Sequence, residues 1–501
     1  MNDTLTARDR ASWERSAAAL RIEGRAFING RHVAARSGRS FDDISPIDGK
    51  VIGQIARCED ADIDAAVAAA RATFDSGVWR RIEPRERKRV LQRFAELIRA
   101  DVERLALLET LDVGKPILNS INVDVASAAD CMAYYAEFAD KLYDEIAATG
   151  PNDLAMIRRE PLGVIGAIVP WNYPLIISAW KIGPALLAGN SVVLKPAEQS
   201  PLGGIRLAEL ALEAGLPAGV LNVVPGFGEE AGKALALHAD VDMISFTGST
   251  EVGKLMMRYA GDSNLKRVAL ELGGKSPHVV MADADLEAAA AAIAWGIYYN
   301  AGETCHAGSR LIVHERVRGR LIQGIEEVAR TITLGHPFDP ATQMGALIDS
   351  GHLQRVLGYI DSGVAEGARI AFGGRRALQD TGGYYVEATV LDAVRPQMRV
   401  SREEIFGPVL TVTGFREDSE ALQMANDTFY GLAAAVWTQD MNVAHRLSGA
   451  LCAGTVWINS FDRSSLATPF GGFKQSGFGR DRSPHAIDKY VDLKTIWTAF
   501  R

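Results

Sequence analysis

The sequence predicts an α/β protein with two parallel sheets wound with helices. The chain has 501 residues, which is too long for one ordinary domain and favours two or three. After residue 160, short Val- and Ile-rich runs that end in Gly/Pro loops alternate with helical segments, and a second set of such runs begins near residue 274. This strand–helix–strand rhythm is typical of parallel sheets. We therefore predict two α/β domains, with a boundary near the glycines of the segment ELGGK.

Each predicted element rests on its own pattern. DADIDAAVAAARATF and ERKRVLQRFAELIRADVERLALLETL predict helices between residues 60 and 110, because apolar residues recur every three or four positions. VIGAIVP, SVVLKP, VLNVVPG and MISFTGS predict buried strands, and IISAWKIGPALLAG and LGGIRLAELALEAG predict the helices between them. The second set of strands is predicted in SPHVVMADAD, SRLIVHERV, GPVLTVTGF and GTVWINS.

Composition and charge exclude several classes of partner. Hydrophobic residues make up 48% and charged residues 23%, as in ordinary folded proteins. The formal charge of -8 gives no electrostatic reason to expect nucleic acid. No stretch approaches the roughly 20 apolar residues that span a bilayer. The segment MNDTLTARDRASWER is polar and predicts no signal peptide. We expect neither a nucleic-acid nor a membrane partner.

The four cysteines predict neither a disulfide framework nor a metal site. They lie far apart without a CxxC pair, which favours a reduced, cytoplasmic setting. Cys305 lies in the loop GETCHAGSR between a predicted helix and a predicted strand, and its small, polar surroundings favour a nucleophile. We expect Cys58, Cys131 and Cys452 to be inert core residues. We do not expect His306 to reach back and act as a base for its neighbour.

Three further segments place polar groups beside predicted strands. GSTEVGK (248–254) begins like a P-loop, but Leu255 lacks the hydroxyl that binds Mg²⁺. The remaining strand-to-helix turn is compatible with a plain connection and with a pyrophosphate site. Glu271 is compatible with an ion-pair partner and with a reactive carboxylate. Asn172, in VPWNYP, is compatible with a turn residue and with an amide donor in a site.

Seven motifs appear in a fixed order along the chain. They are PWNYP (170–174), LKPAEQSP (194–201), FTGST (246–250), ELGGKSP (271–277), GETCHAGSR (302–310), EEIFGPV (403–409) and PFGGFKQSGFGR (469–480). With them, the sequence from about residue 20 onwards resembles the NAD(P)-dependent aldehyde dehydrogenase superfamily. RIEGRAFING, ATFDSGVW, LALLETLDVGKPI and GRDRSPHAIDKYVDLKTIW are similar to the gamma-glutamyl-gamma-aminobutyraldehyde and guanidinobutyraldehyde dehydrogenases of polyamine and arginine breakdown.

The resemblance implies a domain organisation. It implies a Rossmann-like cofactor domain, an α/β catalytic domain and a small β arm used for oligomerisation. The expected ranges are 1–139 and 163–273 for NAD binding, 274–486 for catalysis, and 140–162 with 487–501 for the arm and tail. A homodimer or homotetramer is expected from the same resemblance.

The resemblance also implies a reaction, the oxidation of an aldehyde to the carboxylic acid. The Cys305 thiolate would add to the aldehyde carbon, hydride would leave to the nicotinamide, and a thioester would remain. Asn172 and the backbone N–H of Cys305 would hold the oxyanion, and Glu271 would activate the hydrolytic water. The alternatives are a coenzyme A-acylating relative, which can dispense with the carboxylate of Glu271, and a catalytically silent relative, which has no need to keep all three groups.

The implied cofactor is NAD, with NADP as a weaker alternative. By resemblance, Lys195 and Glu198 hold the adenosine ribose, and a carboxylate at Glu198 repels a 2′-phosphate. Gly248 and Ser249 form the pyrophosphate turn. The full set of expected cofactor residues is Trp171, Lys195, Glu198, Gly228, Phe246, Gly248, Ser249, Glu404 and Phe406.

The substrate is left open by the sequence. The expected substrate residues are Tyr173, Trp180, Tyr299, Phe461, Arg463 and Phe470. The aromatic ones are compatible with a tunnel and with the core. In the loop 459–469, Arg463 and Ser465 stand where similar polyamine-pathway enzymes carry acidic residues. Because this loop lacks those negative charges, the case for a positively charged amino or guanidino aldehyde as substrate is weaker. Neutral, aromatic and carboxylate-bearing aldehydes are therefore alternative substrates.

Overall fold

The computed structural model describes residues 5–501, so residues 1–4 of the expected first domain range and polar N-terminal segment lie outside the described residues. The strands are β1 (Ala26–Ile28), β2 (Arg31–Val33), β3 (Ser40–Ile44), β4 (Val51–Ala56), β5 (Glu145–Ala147), β6 (Asp153–Pro161), β7 (Val164–Ile168), β8 (Ser191–Lys195), β9 (Leu221–Val223), β10 (Met243–Thr247), β11 (Arg267–Glu271), β12 (Pro277–Val280), β13 (Arg310–His314), β14 (Arg369–Phe372), β15 (Arg376–Ala377), β16 (Tyr385–Val386), β17 (Thr389–Asp392), β18 (Val409–Phe415), β19 (Ala433–Trp437), β20 (Thr455–Ile458), β21 (Gly477–Phe478) and β22 (Val491–Ala499).

The helices alternate with these strands. The α-helices are Arg10–Ala18, Asp60–Ser76, Pro84–Ala100, Val102–Val113, Ile117–Asn119, Ala126–Ala136, Pro174–Ala188, Leu202–Glu213, Lys233–Leu237, Thr250–Asp262, Leu286–Tyr298, Arg318–Ala329, Ser350–Ala365, Arg399–Arg402, Asp418–Asn426 and Met441–Ala450. Two π-helical segments (Ser120–Val125, Gly228–Gly232) and 3₁₀ turns at Tyr299–Gly302, Gln379–Thr381, Lys474–Ser476, Pro484–Ala486 and Asp488–Tyr490 complete them.

The first large sheet has the strand order β2-β1-β9-β8-β7-β10-β11-β21. Its five strands from β9 to β11 are parallel, and β7, β8 and β10 are buried along their whole length. Continuous apolar runs are typical of such strands because helices cover both faces of the sheet. All four runs predicted as strands between residues 160 and 250 belong to this sheet.

The second large sheet has the order β14-β17-β18-β13-β12-β19-β20. The neighbours from β17 to β20 are parallel, and only β14 runs antiparallel to its neighbour. The runs predicted from residue 274 onwards form β12, β13, β18 and β20. The predicted α/β class is confirmed.

A smaller antiparallel sheet joins two distant segments. Its order is β22-β6-β5, so residues 491–499 pair with residues 153–161. Just before it, β21 pairs with β11, and the chain thereby returns from the second large sheet to the first. The expected domain ranges stay a prediction.

The parallel strands of the first sheet end side by side at one edge. Ile168 of β7 lies in register with Lys195 of β8, and Thr247 of β10 with Glu271 of β11. The helices Pro174–Ala188 and Thr250–Asp262 begin just beyond this edge. Ligands bind at the carboxyl ends of strands in open α/β sheets, because the loops converge there.

The cysteines differ in burial. All four are free, Cys58 and Cys131 are fully buried as expected, and Cys452 is exposed. The expectation that Cys452 belongs to the core was wrong, because it lies in the loop before β20, where only its backbone N–H is held, by Asn426 Oδ1 at 2.9 Å. Among residues 5–501, no helix is long and apolar enough to cross a membrane.

Candidate active site

A cleft at the carboxyl edge of the first sheet brings together many of the candidate residues. One side comes from the loops after β7, β10 and β11, and the other from the second large sheet and its helices. The lining residues are Pro170, Trp171, Asn172, Ile177, Thr247, Gly248, Ser249, Glu271, Gly273, Cys305, His352, Arg355, Glu404 and Phe406.

A strained loop positions Cys305. Asn300, Ala301 and Gly302 have φ values of 49°, 52° and 75°, all in the left-handed region. Such conformations cost free energy for Asn and Ala and persist only where surrounding contacts impose them. One such contact runs from Asn300 Nδ2, which donates to the backbone oxygen of Asn172 at 3.3 Å. The loop of Cys305 is thereby tied to the loop after β7.

The Asn172 amide is buried and only partly paired. Its Nδ2 donates to the backbone oxygen of Glu303 at 2.9 Å, while its Oδ1 has no hydrogen-bond partner in the described chain. A primary amide carries two hydrogens on the nitrogen. One of them therefore remains for a reacting oxygen in the cleft.

Glu271 is a buried carboxyl at the end of β11. It is 4% exposed, and its Oε1 has no hydrogen-bond partner among residues 5–501. Burial raises its pKa to about 8, and Lys181 opposes that rise. A carboxyl with a pKa in this range changes its charge near neutral pH, which suits a general base.

Cys305 is half-buried, and its surroundings favour the thiol. Burial raises the pKa of Cys305 well above its usual range, and Glu271 and Glu404 raise it further. Its Sγ lies 3.9 Å from Nδ1 of His306, whose Nε2 lies 2.8 Å from Asp462 Oδ1. The imidazole of His306 therefore reaches its neighbour's sulfur, contrary to that part of the expectation.

The strand-to-helix turn after β10 presents backbone N–H groups to the cleft. Ser249 caps the helix Thr250–Asp262, accepting a hydrogen bond from the N–H of Val252 at 3.3 Å. A Cβ on Gly248 would lie 2.5 Å from the ring of Phe246, so a side chain has no room there. Phe246 itself lies in the core below the turn and does not line the cleft.

Glu404 reaches across from the second sheet to the glycines after β11. Its Oε1 accepts a hydrogen bond from the N–H of Gly274 at 2.8 Å, and a Cβ on Gly273 would lie only 2.2 Å from Oε2. Burial raises the pKa of Glu404 to about 7, which the Gly274 N–H opposes.

Besides Phe246, three expected cofactor residues lie outside the cleft lining: Lys195, Glu198 and Gly228. Lys195 Nζ donates to Glu198 Oε2 at 2.9 Å, just after β8. Gly228 is exposed at the start of the π-helical segment Gly228–Gly232, with open space where a Cβ would lie.

His352 and Arg355 line the cleft without having been predicted. His352 Nε2 lies 2.6 Å from the backbone oxygen of Phe406, and Arg355 donates to the backbone oxygen of Glu404 at 3.1 Å. Asp349 caps their helix, Ser350–Ala365, and an aspartate at this position is a sequence signal for a helix start. His352 and Arg355 are three residues apart and therefore share a helix face. No sequence signal shows that this face meets the loop 404–406.

Three expected substrate residues belong to one aromatic surface beside Cys305. Ring centroids are 5.4 Å apart for Trp180 and Phe470, 5.6 Å for Phe470 and His306, and 6.2 Å for His306 and Phe461. Trp457, which was not predicted, adds to this surface at 4.7 Å from Phe461.

The other expected substrate residues are placed differently. Tyr173 Oη lies 2.9 Å from Thr304 Oγ1, and the Nζ of Lys115 lies 4.1 Å from the centroid of its ring. Tyr299 is half-buried, and its Oη has no partner within residues 5–501. Arg463 is exposed, and only its backbone oxygen has a described contact, with the indole N–H of Trp457 at 2.8 Å.

Known proteins have similar sequences and the same fold. The sequence profile of the Aldehyde dehydrogenase family matches residues 32–496. The NADP/NAD-dependent aldehyde dehydrogenase PuuC of Escherichia coli (strain K12) is 51% identical over 488 residues, which cover 97% of this chain and 98% of that protein. A crystal structure of indole-3-acetaldehyde dehydrogenase with NAD+ is 54% identical at a TM-score of 0.98, covering 99% of this chain and 100% of that chain. The gamma-glutamyl-gamma-aminobutyraldehyde dehydrogenase from Burkholderia cenocepacia J2315 is 54% identical at a TM-score of 0.97, with the same coverage.

Proposed function

We propose, from the premise that this chain belongs to the aldehyde dehydrogenase family, that it oxidises an aldehyde to the free carboxylic acid with NAD as cofactor. One observation carries the proposal: Cys305, Asn172 and Glu271 line a single cleft together with the helix N-terminus at Ser249. A nucleophile, an amide donor and a carboxyl base are the groups that the reaction needs.

The residues of the cleft fit NAD. Three of its buried polar atoms, Asn172 Oδ1, Thr247 Oγ1 and Glu271 Oε1, have no hydrogen-bond partner in the described chain. Unpaired buried polar atoms are unusual in a folded protein and favour a polar ligand beside them. When bound, NAD supplies an acceptor for the hydride that leaves the substrate carbon.

We assign the parts of the cofactor to separate elements. The N–H groups after Gly248 and Ser249 suit the pyrophosphate, because a helix N-terminus favours negative charge. Glu404 suits the nicotinamide ribose, and Trp171 and Phe406 flank the same part of the cleft with their rings 5.3 Å apart.

The adenosine ribose is assigned to Lys195 and Glu198. Their contact at 2.9 Å holds the carboxylate beside the end of β8, where it accepts hydrogen bonds from ribose hydroxyls and repels a 2′-phosphate. NADP is therefore the weaker alternative. Gly228, with open space where a Cβ would lie, is assigned to the adenosine end of the cofactor, and Phe246 to the support of the turn at Gly248.

The reaction begins at Cys305. We assign His306 Nδ1, 3.9 Å from the sulfur, as the acceptor of the thiol proton; the sulfur then attacks the aldehyde carbon and a C–S bond forms. The free amide hydrogen of Asn172 and the backbone N–H of Cys305 hold the resulting oxyanion. Once the carbon has been oxidised, Glu271 takes a proton from the water that hydrolyses the thioester. The products are the carboxylic acid and the free thiol.

Formation of NADH with a panel of aldehydes tests this proposal. The panel contains amino, guanidino, aliphatic, aromatic and carboxylate-bearing aldehydes. We expect turnover by the wild type, no turnover by Cys305→Ala with NAD binding retained, and full turnover by Cys452→Ala, which removes an exposed thiol as the matched control. NAD binding by the wild type without turnover on any aldehyde would point to a silent relative. Turnover that requires coenzyme A would point to an acylating one.

We further propose that the small antiparallel sheet joins copies of the chain into a homodimer or homotetramer. Leu493 and Trp497, four residues apart on β22, share one face of this sheet and are 63% and 62% exposed, and Ile146 of β5 is 73% exposed on the other face. Exposed apolar patches of this kind mark interaction surfaces. Light scattering of the wild type and of Trp497→Asp tests this assignment: a monomeric wild type, or an unchanged mass in the variant, would contradict it.

We also propose the expected domain ranges and a cytoplasmic location. The change from the first large sheet to the second between Glu271 and Pro277 supports the boundary at 273/274. Four free cysteines suit a reducing compartment.

A further inference from the structure

Arg482 carries a buried guanidinium for which residues 5–501 provide no hydrogen-bond acceptor. The residue is 8% exposed, and its Nε is fully enclosed without a partner. Its central carbon lies 5.2 Å from the centroid of the Trp180 ring and 5.0 Å from that of the Phe470 ring. Arginine remains charged in proteins, and a buried charge is costly unless it is paired.

The carboxylates near Arg482 already have other partners. Asp481 accepts from Lys181 at 2.7 Å with one oxygen and from Lys489 with the other. Asp462 contacts the ring of His306 at 2.8 Å, and its side chain is half exposed. The guanidinium therefore makes no hydrogen bond or ion pair within residues 5–501, although the negative charges of Asp462 and Asp481 lie near enough to oppose the fall in its pKa that burial causes.

This guanidinium lies on the aromatic surface that leads to the nucleophile. The ring of Phe470 contacts both Arg482 and His306, and His306 lies 3.9 Å from the sulfur of Cys305. The backbones of Arg482 and Ser483 both have a positive φ, +59° and +54°, which side-chain-bearing residues rarely adopt.

We propose that Arg482 binds a carboxylate at the far end of the substrate, so that the preferred substrates are carboxylate-bearing aldehydes. This inference rests on the proposed attack of Cys305 on the aldehyde carbon. The planar guanidinium matches a carboxylate with two parallel hydrogen bonds, and Trp180 and Phe470 pack against the carbon chain between the two ends. An aldehyde with a terminal ammonium group meets a like charge and is disfavoured.

Matched pairs of aldehydes test the proposal. We compare kcat/KM for 4-oxobutanoate with butanal, 5-oxopentanoate with pentanal, and 6-oxohexanoate with hexanal, and we include 4-aminobutanal. The wild type is expected to prefer the carboxylate of at least one pair. The chain length with the greatest preference measures the reach from Cys305 to Arg482.

Three variants locate the effect. Arg482→Met keeps an apolar stem between the rings and is expected to lower the preference for the carboxylate about 10- to 100-fold, while oxidation of the alkanals changes about threefold or less. Arg482→Lys keeps the charge without the planar fork and is expected to give an intermediate preference. Arg480→Met is the matched control, since its guanidinium donates to the backbone oxygens of Gly472 and Gly479.

Three kinetic results would overturn the inference. The first is a wild type without a carboxylate preference at any length, the second is a preference that survives in Arg482→Met, and the third is a preference that is lost in Arg463→Met. Calorimetry with glutarate and pentanoate, the acids formed from 5-oxopentanoate and pentanal, measures the contact between Arg482 and the carboxylate without turnover. Loss of glutarate affinity in Arg482→Met supports the inference even if no aldehyde is oxidised, and unchanged affinity refutes it. A failure of the proposed oxidation is thereby separated from a failure of the carboxylate site.

Discussion

The variant Glu271→Gln tests two expected effects of one buried carboxyl, on catalysis and on the pH dependence of stability. Glutamine has nearly the shape of glutamate but cannot take up a proton. Glu271 is 4% exposed, and burial raises its pKa from 4.5 to about 8. The substitution is therefore expected to change both the release of the acid product and the pH dependence of stability.

The effect on stability follows from proton linkage. The folded protein keeps a proton on Glu271 between pH 4.5 and about 8, where the unfolded chain has lost it. Because the unfolded state binds fewer protons in this interval, the free energy of unfolding falls as the pH rises. At about 1.4 kcal/mol per pH unit, the full interval corresponds to about 5 kcal/mol. Glutamine does not ionise and escapes this loss.

Thermal unfolding measured from about pH 5 to about pH 9 tests this reasoning. The variant is expected to gain stability relative to the wild type as the pH rises, with the gain levelling off above pH 8. Glu251→Gln, which removes an exposed carboxylate from the first turn of the helix Thr250–Asp262, is the control and should follow the wild type. Unfolding temperatures of wild type and Glu271→Gln that stay parallel across the range would refute a carboxyl held neutral by burial.

Rapid-mixing kinetics test the proposed role of the same carboxyl as a base. Glu271→Gln is expected to form NADH in an initial burst and then turn over about 100- to 10,000-fold more slowly than the wild type. The wild-type rate should increase with pH up to about 8, because the base acts in its ionised form. A variant with the wild-type steady-state rate would exclude Glu271 as the base.

Three further substitutions test other contacts of the site and core. Asn172→Ala is expected to lower kcat about 100- to 1,000-fold with little change in NAD binding, measured by steady-state kinetics and calorimetry; an unchanged kcat would remove the amide from the oxyanion site. Gly273→Ala would place a Cβ 2.2 Å from Glu404 Oε2, so KM for NAD should rise, whereas Gly261→Ala, which has open space, should leave it unchanged. Lys115→Met removes the ammonium group that lies 2.6 Å from Asp124 Oδ1 and 3.6 Å from Glu109 Oε1, both buried. Loss of this cation should destabilise the protein by about 3 to 5 kcal/mol in thermal or denaturant unfolding. A variant as stable as the wild type would contradict this.

Local patterns were sufficient for most of the fold. The strands β7, β8 and β10 are continuous apolar runs between Gly/Pro loops, and these properties depend on sequence neighbours alone. Exposure was harder to predict: Cys452 stands among small and apolar residues in the sequence, yet it is exposed in a loop, whereas Cys58, between Arg57 and Glu59, is buried. Burial depends on what packs from elsewhere in the chain, which a local pattern does not contain.

The candidate site shows the same division. Sequence motifs were enough to predict Cys305, Asn172, Glu271 and the turn at Gly248 as candidates, and the structure brings all four into one cleft. Other features are visible only in three dimensions. They are the contact of His352 with the backbone oxygen of Phe406, the approach of His306 to Cys305 and the missing hydrogen-bond partner of Arg482 Nε. The reason is physical: whether a polar group is paired depends on atoms that folding brings from distant segments. Short motifs alone thus supply the candidate reactive groups, whereas the aromatic surface around Arg482 arises from packing between distant segments.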